Sequence, residues 1–180
     1  MDARYGLYIK KGDAPAVNTF TEWRIACCKV PFRTGGDVKD LPNRNWPDEH
    51  GDDTYMPARL MFQGYDAEFE MAYQGEELST NPFNLSLAFA QMDAFKKWLT
   101  GNDTDGGSGT TLMIYSPYSA IGRQECYLKK ISDEDPCVQT KSMGGGLYHE
   151  NVVTFKVTFR VCDPMTNVTL ADMGVTEDGE

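Results

Sequence analysis

The sequence is short of the residues on which most catalytic chemistry runs. It has two histidines, His50 and His149. Its cysteines, Cys27, Cys28, Cys126, Cys137 and Cys162, are odd in number and include no C-x-x-C pair. A disulfide framework or a zinc site therefore has no support, and reduced thiols are expected. The vicinal pair Cys27-Cys28 reads as strand or loop packing. Basic runs are no longer than the pairs Lys10-Lys11, Lys96-Lys97 and Lys129-Lys130, and the net charge is −10. That balance argues against sequence-specific nucleic-acid binding, which draws on a concentrated basic patch. There is no G-x-S-x-G elbow, and Gly144-Gly145-Gly146 lacks the lysine and following hydroxyl of a phosphate loop. No apolar run is long enough to span a bilayer, and residues 1–12 lack a signal-peptide core. The expectation is a soluble chain made in the cytoplasm, with no membrane partner.

What the chain does have is alternation. Val153, Phe155, Val157, Phe159 and Val161 alternate with Thr154, Lys156, Thr158 and Arg160, the period of a strand with one face buried and one wet. Asp163-Pro164 ends the pattern, because proline cannot donate to a ladder. Further strands are expected at 5–9, 19–30, 60–73, 110–115 and 123–131, with a short one at 168–170. The apolar phase slips near Gly64, which suits a bulge or bend. Between the β-rich blocks lies one amphipathic helix, expected at about 84–99. Its stripe is Leu85, Ala88, Met92, Phe95 and Leu99, widened by Phe89 and Trp98. Asn81-Pro82 fits its start, Lys96-Lys97 its last turn and Gly101 the left-handed position after it.

The connections are long. Residues 31–57 hold Pro31, Pro42, Pro47 and Pro57 together with Gly35-Gly36 and Gly51, and read as a loop of a length that is usually functional. Trp46 and Tyr55 within it are the kind of aromatics that make partner contacts. Residues 102–109 and 132–146 also read as loops. The expected domain is residues 1–171, followed by an acidic, flexible tail at 172–180. The expected class is mainly β (α+β): an antiparallel β-sandwich or barrel-like sheets with one flanking α-helix.

Several clusters test for chemistry. Asp48-Glu49-His50-Gly51-Asp52-Asp53 offers hard oxygens and an imidazole, but its spacing matches no ligand loop, and a solvated turn is the better reading. Asp103-Thr104-Asp105-Gly106 starts like a calcium loop, yet Ile114 stands where the bidentate glutamate belongs. Cys28 or Cys126 with His149 would make a nucleophile and base, with nothing local to support the pairing. Glu68 and Glu70 would make a carboxylate pair, but they fit the wet face of a strand better. The expectation is therefore no enzyme, no catalytic residue, no cofactor and no metal.

The order of features resembles the siphophage distal tail (baseplate hub) protein at its N-terminal domain, and the related phage tail-tube fold. Four pieces carry the resemblance. The first is Val30-Pro31-Phe32-Arg33-Thr34-Gly35-Gly36 leading to Asp52-Asp53-Thr54-Tyr55 and a long strand. The second is the helix end Phe95-Lys96-Lys97-Trp98-Leu99. The third is the strand pair Leu112-Met113-Ile114-Tyr115 and Glu125-Cys126-Tyr127-Leu128-Lys129-Lys130-Ile131. The last is Thr158-Phe159-Arg160-Val161-Cys162-Asp163-Pro164. Such hub proteins often carry a further C-terminal domain, whereas this chain ends soon after Pro164.

The resemblance implies a non-enzymatic virion tail protein, made in a bacterial host. Its subunits would form a ring, six in number, around a channel through which DNA passes without specific binding. Its partners would be its own copies and other tail or baseplate proteins. Trp46, Tyr55 and Arg33 are the candidate interface residues, and Glu68 and Glu70 the candidate channel face. An acidic wall would repel phosphate. The alternative is a β-sandwich module that binds carbohydrate or protein through the aromatic loop at 31–57. A third reading, an enzyme built on the His50 cluster, has less to recommend it.

Overall fold

A computed structural model describes residues 3–45, 47–48, 50–74, 86–103, 109–143 and 146–175, apart from the side chains of residues 3, 74, 86–88, 133–143 and 146–152. In chain order the strands are β1 (Tyr8–Lys11), β2 (Val17–Asn18), β3 (Ile25–Lys29), β4 (Asn43–Arg44), β5 (Asp53–Thr54), β6 (Tyr65–Gln74), β7 (Leu112–Ser116), β8 (Ile121–Met143) and β9 (Gly146–Val161). The helices are α1 (Thr19–Trp23) and α2 (Ser86–Thr100). Seven strands form one antiparallel sheet in the order β2-β1-β7-β8-β9-β6-β3, curled into a half-barrel, while β4 and β5 pair separately. The fold is mainly β, as expected. Of sandwich and barrel, it is the barrel-like form that stands.

The core follows from the alternation. Val153, Phe155, Val157, Phe159 and Val161 of β9 are buried, and so are Tyr65, Ala67, Phe69, Met71 and Tyr73 of β6, which pair with them in register. Both sets point to one face of the sheet, and α2 covers that face with Met92, Phe95 and Leu99. Phe95 lies 5.2 Å from the Trp23 ring and 6.3 Å from Phe155 between ring centroids. The Lys11 ammonium sits 4.3 Å above the Trp98 ring and donates to the Trp98 carbonyl, at the negative end of the helix. Gly101, with φ 75°, turns the chain out of α2, and the Asn102 N–H returns to the Lys97 carbonyl at 2.8 Å. One detail of the expected stripe differs: Phe89 is exposed. Leu85 and the Asn81-Pro82 start lie outside the described residues.

The strand expected over 19–30 is instead a helical turn followed by a short strand. Asn18 accepts hydrogen bonds from the N–H groups of Phe20 (2.9 Å) and Thr21 (3.2 Å), the geometry of an N-cap. Arg24 then adopts a left-handed conformation, with φ 60°, and closes the turn. Capping overrides the β preference of Thr19, Phe20 and Trp23. The turn matters because it joins the sheet's two edge strands, β2 and β3. The Thr19 hydroxyl accepts from the Leu7 N–H at 3.0 Å and donates to the Ile25 carbonyl at 2.9 Å, while its own N–H reaches the Leu7 carbonyl at 2.9 Å. A single buried hydroxyl thus stitches the two ends of the curled sheet. Gly6 leaves room for this: a Cβ there would come within 2.3 Å of Asn18 Oδ1.

Other boundaries also move. A 3-10 turn occupies Ala3–Tyr5, so the first strand begins at Tyr8. Leu60 and Phe62 precede β6 rather than forming part of it. Gly64 marks the entry, where a Cβ would sit 2.6 Å from the Val161 carbonyl. The loop expected at 132–146 is corrected: β8 runs on to Met143 and pairs with β9 as a long hairpin, Met143 opposite Gly146. Register shifts at Leu128/Lys130 and Ser132/Asp135 absorb the irregular stretch. Pro136 is tolerated because, among the described residues, β8 beyond Cys126 has a strand on one side only. In place of a strand at 168–170, the Val168 N–H binds the Gly122 carbonyl at 3.2 Å, and a turn follows. Met173 is buried in that turn, so the chain is still packed past Asp172, and residues 176–180 lie outside the description.

Two stability changes follow. Thr19→Val keeps the shape but strands the Leu7 N–H and the Ile25 carbonyl, and should cost about 2–4 kcal/mol in chemical denaturation, whereas Thr19→Ser should cost about 1 kcal/mol. Phe95→Ala should cost about 3–5 kcal/mol in the same measurement, because it opens a cavity between α2 and β9.

Candidate interaction surface

Phe32 still packs edge-on against Phe69, 5.2 Å between ring centroids, and beyond it the chain leaves the body until Gly64. None of the described residues in this stretch is buried. It is an arm with loose antiparallel pairing. Near the base, Val38 bridges Phe62, the Lys39 N–H donates to the Met61 carbonyl and the Gln63 N–H to the Asp37 carbonyl, each at 2.7 Å. Further out, the Tyr55 N–H donates to the Pro42 carbonyl at 3.0 Å, next to the β4–β5 pair. At the tip the Asp52 carboxylate accepts from the Asn43 and Asn45 side-chain amides at 3.2 and 3.0 Å. Proline and glycine made the sequence look like a loop here. The pairing leaves no period-2 pattern in the sequence, because β4 and β5 are only two residues each.

The arm carries apolar side chains into solvent. Tyr55 is 67% exposed, Met56 65% and Met61 58%, and Leu60 and Val38 are exposed as well. A shallow open cleft of about 480 Å³ is lined by Pro42, Arg44, Asp53, Thr54 and Tyr55. A two-stranded ribbon is at best marginally stable alone, and the exposed apolar groups on this one make it the candidate contact surface. Of the expected interface residues, Tyr55 is on the arm and free to make contact. Arg33 is at its base, where its N–H donates to Tyr65 Oη at 3.1 Å and its guanidinium lies 5.4 Å from the Tyr65 ring centroid. Trp46 lies outside the described residues.

The second surface is the face of the sheet turned away from α2. Glu68 and Glu70 are on it, as the alternation implies, but they are not free carboxylates. Lys156 lies 3.4 Å from Glu68 and Lys29 3.2 Å from Glu70. Asp66 takes both Lys129 and, at 3.1 Å, Arg160. The hydrogen bond from Lys129, helped by Arg160, holds the Asp66 carboxyl below its ordinary range. Exposed pairs of this kind add little stability, but they balance charge. The acidic wall expected at Glu68 and Glu70 is, in geometry, a ladder of cross-strand ion pairs.

The remaining chemistry-bearing groups are dispersed. Among the described residues, no three His, Cys, Asp or Glu side chains converge as metal ligands would. Burial pushes the thiols of Cys27 and Cys126 up to about 12 and that of Cys28 upward too, so these sulfurs keep their protons at neutral pH. The His149 side chain, Glu49 and the 104–106 part of the calcium-like loop lie outside the described residues, as do Gly144 and Gly145.

Asp163 opens the C-terminal segment that follows β9 and bonds to the start of β8. Its carboxylate accepts from the N–H groups of Met165 (3.0 Å) and Thr166 (3.1 Å) and from the Gln124 amide (2.9 Å). Burial works to raise its pKa, but the hydrogen bonds from Thr166, Gln124 and Met165 outweigh it and bring the value to about 2, from an ordinary 3.8.

The sequence matches no known family model, and no curated protein matches it.

Because the folded value of Asp163 lies below the unfolded one, its stabilisation is complete above the ordinary value and is lost as pH falls through about 2. Denaturation measured from neutral pH down through that window should show a smaller acid-induced loss for Asp163→Asn than for the parent chain. At neutral pH the variant should be less stable by about 1 kcal/mol.

Proposed function

We propose that this chain is a phage or prophage tail structural protein that assembles with copies of itself into a ring around a DNA channel. The observation that carries this reading is the contrast between a closed body and an uncovered arm. The body satisfies itself: its sheet curls, its ends are stitched and its core is filled. The arm at 34–62, with Tyr55, Met56, Leu60 and Met61 in solvent, has no buried residue among those described. Such a segment makes sense as a contact to a neighbour. The resemblance implies a β-sandwich flanked by a helix; the antiparallel sheet with a helix on its core face agrees with that in class, though it is curled into a half-barrel.

Among the described residues the sheet also has two unlike stretches with a strand on one side only, β3 and β8 beyond Cys126. Unpaired edges invite strand pairing, and unlike edges joined head to tail close into a ring when the rotation allows. Six subunits is the ring size that the resemblance implies, with other tail or baseplate proteins as further partners. In this reading the ion-pair ladder faces the channel. Its cations, Lys29, Lys129, Lys156 and Arg160, are already engaged by Glu70, Asp66 and Glu68. Paired cations release few counterions from DNA and so do not hold it. No catalysis, cofactor or membrane contact enters this function. A second reading, a module that binds a carbohydrate or protein ligand, draws on the cleft beside Tyr55.

Electron microscopy and light scattering on the purified chain, and on tail particles that contain it, test the proposal. The expected result is a ring with Tyr55 and Arg33 at the subunit contact and Glu68 and Glu70 toward the channel. Tyr55→Ser combined with Met56→Ser should weaken assembly by about tenfold or more without changing the melting of the body. A chain that forms no ring alone or with tail components, and instead takes up a saccharide or peptide at the cleft, would favour the second reading.

A further inference from the structure

Arg123 is only 4% exposed, and among the described residues no carboxylate pairs with it. Its Nη1 donates to the Gly122 carbonyl at 2.9 Å and to Asn167 Oδ1 at 3.2 Å, and its Nη2 donates to the Arg33 carbonyl at 2.6 Å. Its Nε is buried with no hydrogen-bond partner. A buried cation held by carbonyl oxygens alone is an unfavourable way to fill space, and apolar replacements of buried ions often leave a fold as stable or more so. Something other than body stability accounts for it.

Its contacts indicate what. Arg33 is where the arm leaves the body, and the same residue donates its N–H to Tyr65, the first residue of β6, where the chain returns. Asn167 belongs to the C-terminal segment and also accepts from the Gly122 N–H at 3.1 Å. Gly122 is pressed so close to that segment that a Cβ would lie 2.6 Å from the Val168 carbonyl. Three separated parts of the chain therefore meet at one guanidinium: the neck of the arm, the start of β8 and the C-terminal segment. Its planar fork of donors fixes direction as well as distance.

We infer that Arg123 is a latch that sets the direction in which the 34–62 arm leaves the body, so that the arm is presented ready-oriented to a second copy of the chain. The inference rests on the assembly reading above for its purpose, but the latch itself is a property of the free subunit. Pre-orientation lowers the ordering cost of association.

The test is amide hydrogen exchange on the free full-length protein, comparing the parent chain with Arg123→Met. The arm reporters are the Lys39 and Gln63 N–H groups, both hydrogen-bonded across the neck of the arm. The core reporters are the amides of Phe69 and Val157, paired within the sheet. The latch predicts that the arm amides exchange about tenfold faster in the variant while the core amides stay unchanged. Unchanged arm amides would overturn it. So would arm and core accelerating together, which is what a merely structural residue does. Should Arg123→Met fail to fold, Asn167→Ala removes one acceptor and spares the guanidinium; it should accelerate the arm in the same direction by a smaller factor, and no acceleration overturns the latch. Ring formation by the parent chain is read separately by light scattering, so loss of the assembly reading and loss of the latch give different results.

Discussion

The fold depends on one closure. A seven-stranded sheet that curls must bring its two end strands near each other or leave both open to solvent, and here the ends are joined by five residues of helix and one hydroxyl. Thr19 serves the β1 side through Leu7 and the β3 side through Ile25, with all three groups out of water. Buried backbone groups without partners are costly, so the hydroxyl is not a minor addition to a sheet that would close anyway. Trp23, on the same turn, carries the closure inward by packing on Phe95 and Trp98 of α2. The capping of one short helix, the curl of the sheet and the seating of the main helix are parts of a single arrangement.

The legible parts of the sequence were those in which one period runs long enough to dominate. Val153 to Val161 gave its strand and its buried face, and Met92, Phe95 and Leu99 gave the buried side of α2. Thr19 to Trp23 misled because threonine, phenylalanine and tryptophan all favour strands, while a cap acts through one side chain, Asn18, and leaves no periodic trace. Residues 132–143 misled for the opposite reason: the acids, Pro136 and nearby glycines imitate a loop, and only pairing to β9 makes them strand. At the candidate surface, the outward position of Glu68 and Glu70 followed from alternation, but their ion pairs did not. Lys29 and Lys156 stand far from them in sequence, and their proximity depends on which strands adjoin β6. Arg123 gave no signal, since its role comes from bringing residues 33 and 167 together.

The molecule divides into a part that is complete and a part that is not. The body buries aromatic and branched side chains on one face of the sheet and balances charge on the other. The arm does neither. Its hydrogen bonds are few, most of its apolar groups are exposed, and it joins the body through Phe32, Arg33, Tyr65 and Arg123. An ordered neck carrying an uncovered tip is the reverse of a frayed loop, in which order would fall off from the body outward with nothing apolar to hide.

The central claim is that the arm becomes covered only when copies of the chain meet. Methionine oxidation tests it most directly, because the chain carries its own reporters: Met56 and Met61 on the arm, Met92 and Met71 in the core. Oxidation followed by peptide mass spectrometry, on the free subunit and on assembled material, should find Met56 and Met61 reactive in the first and protected several-fold in the second, with Met71 and Met92 unreactive in both. Equal reactivity of Met56 and Met61 in the two states would contradict the account.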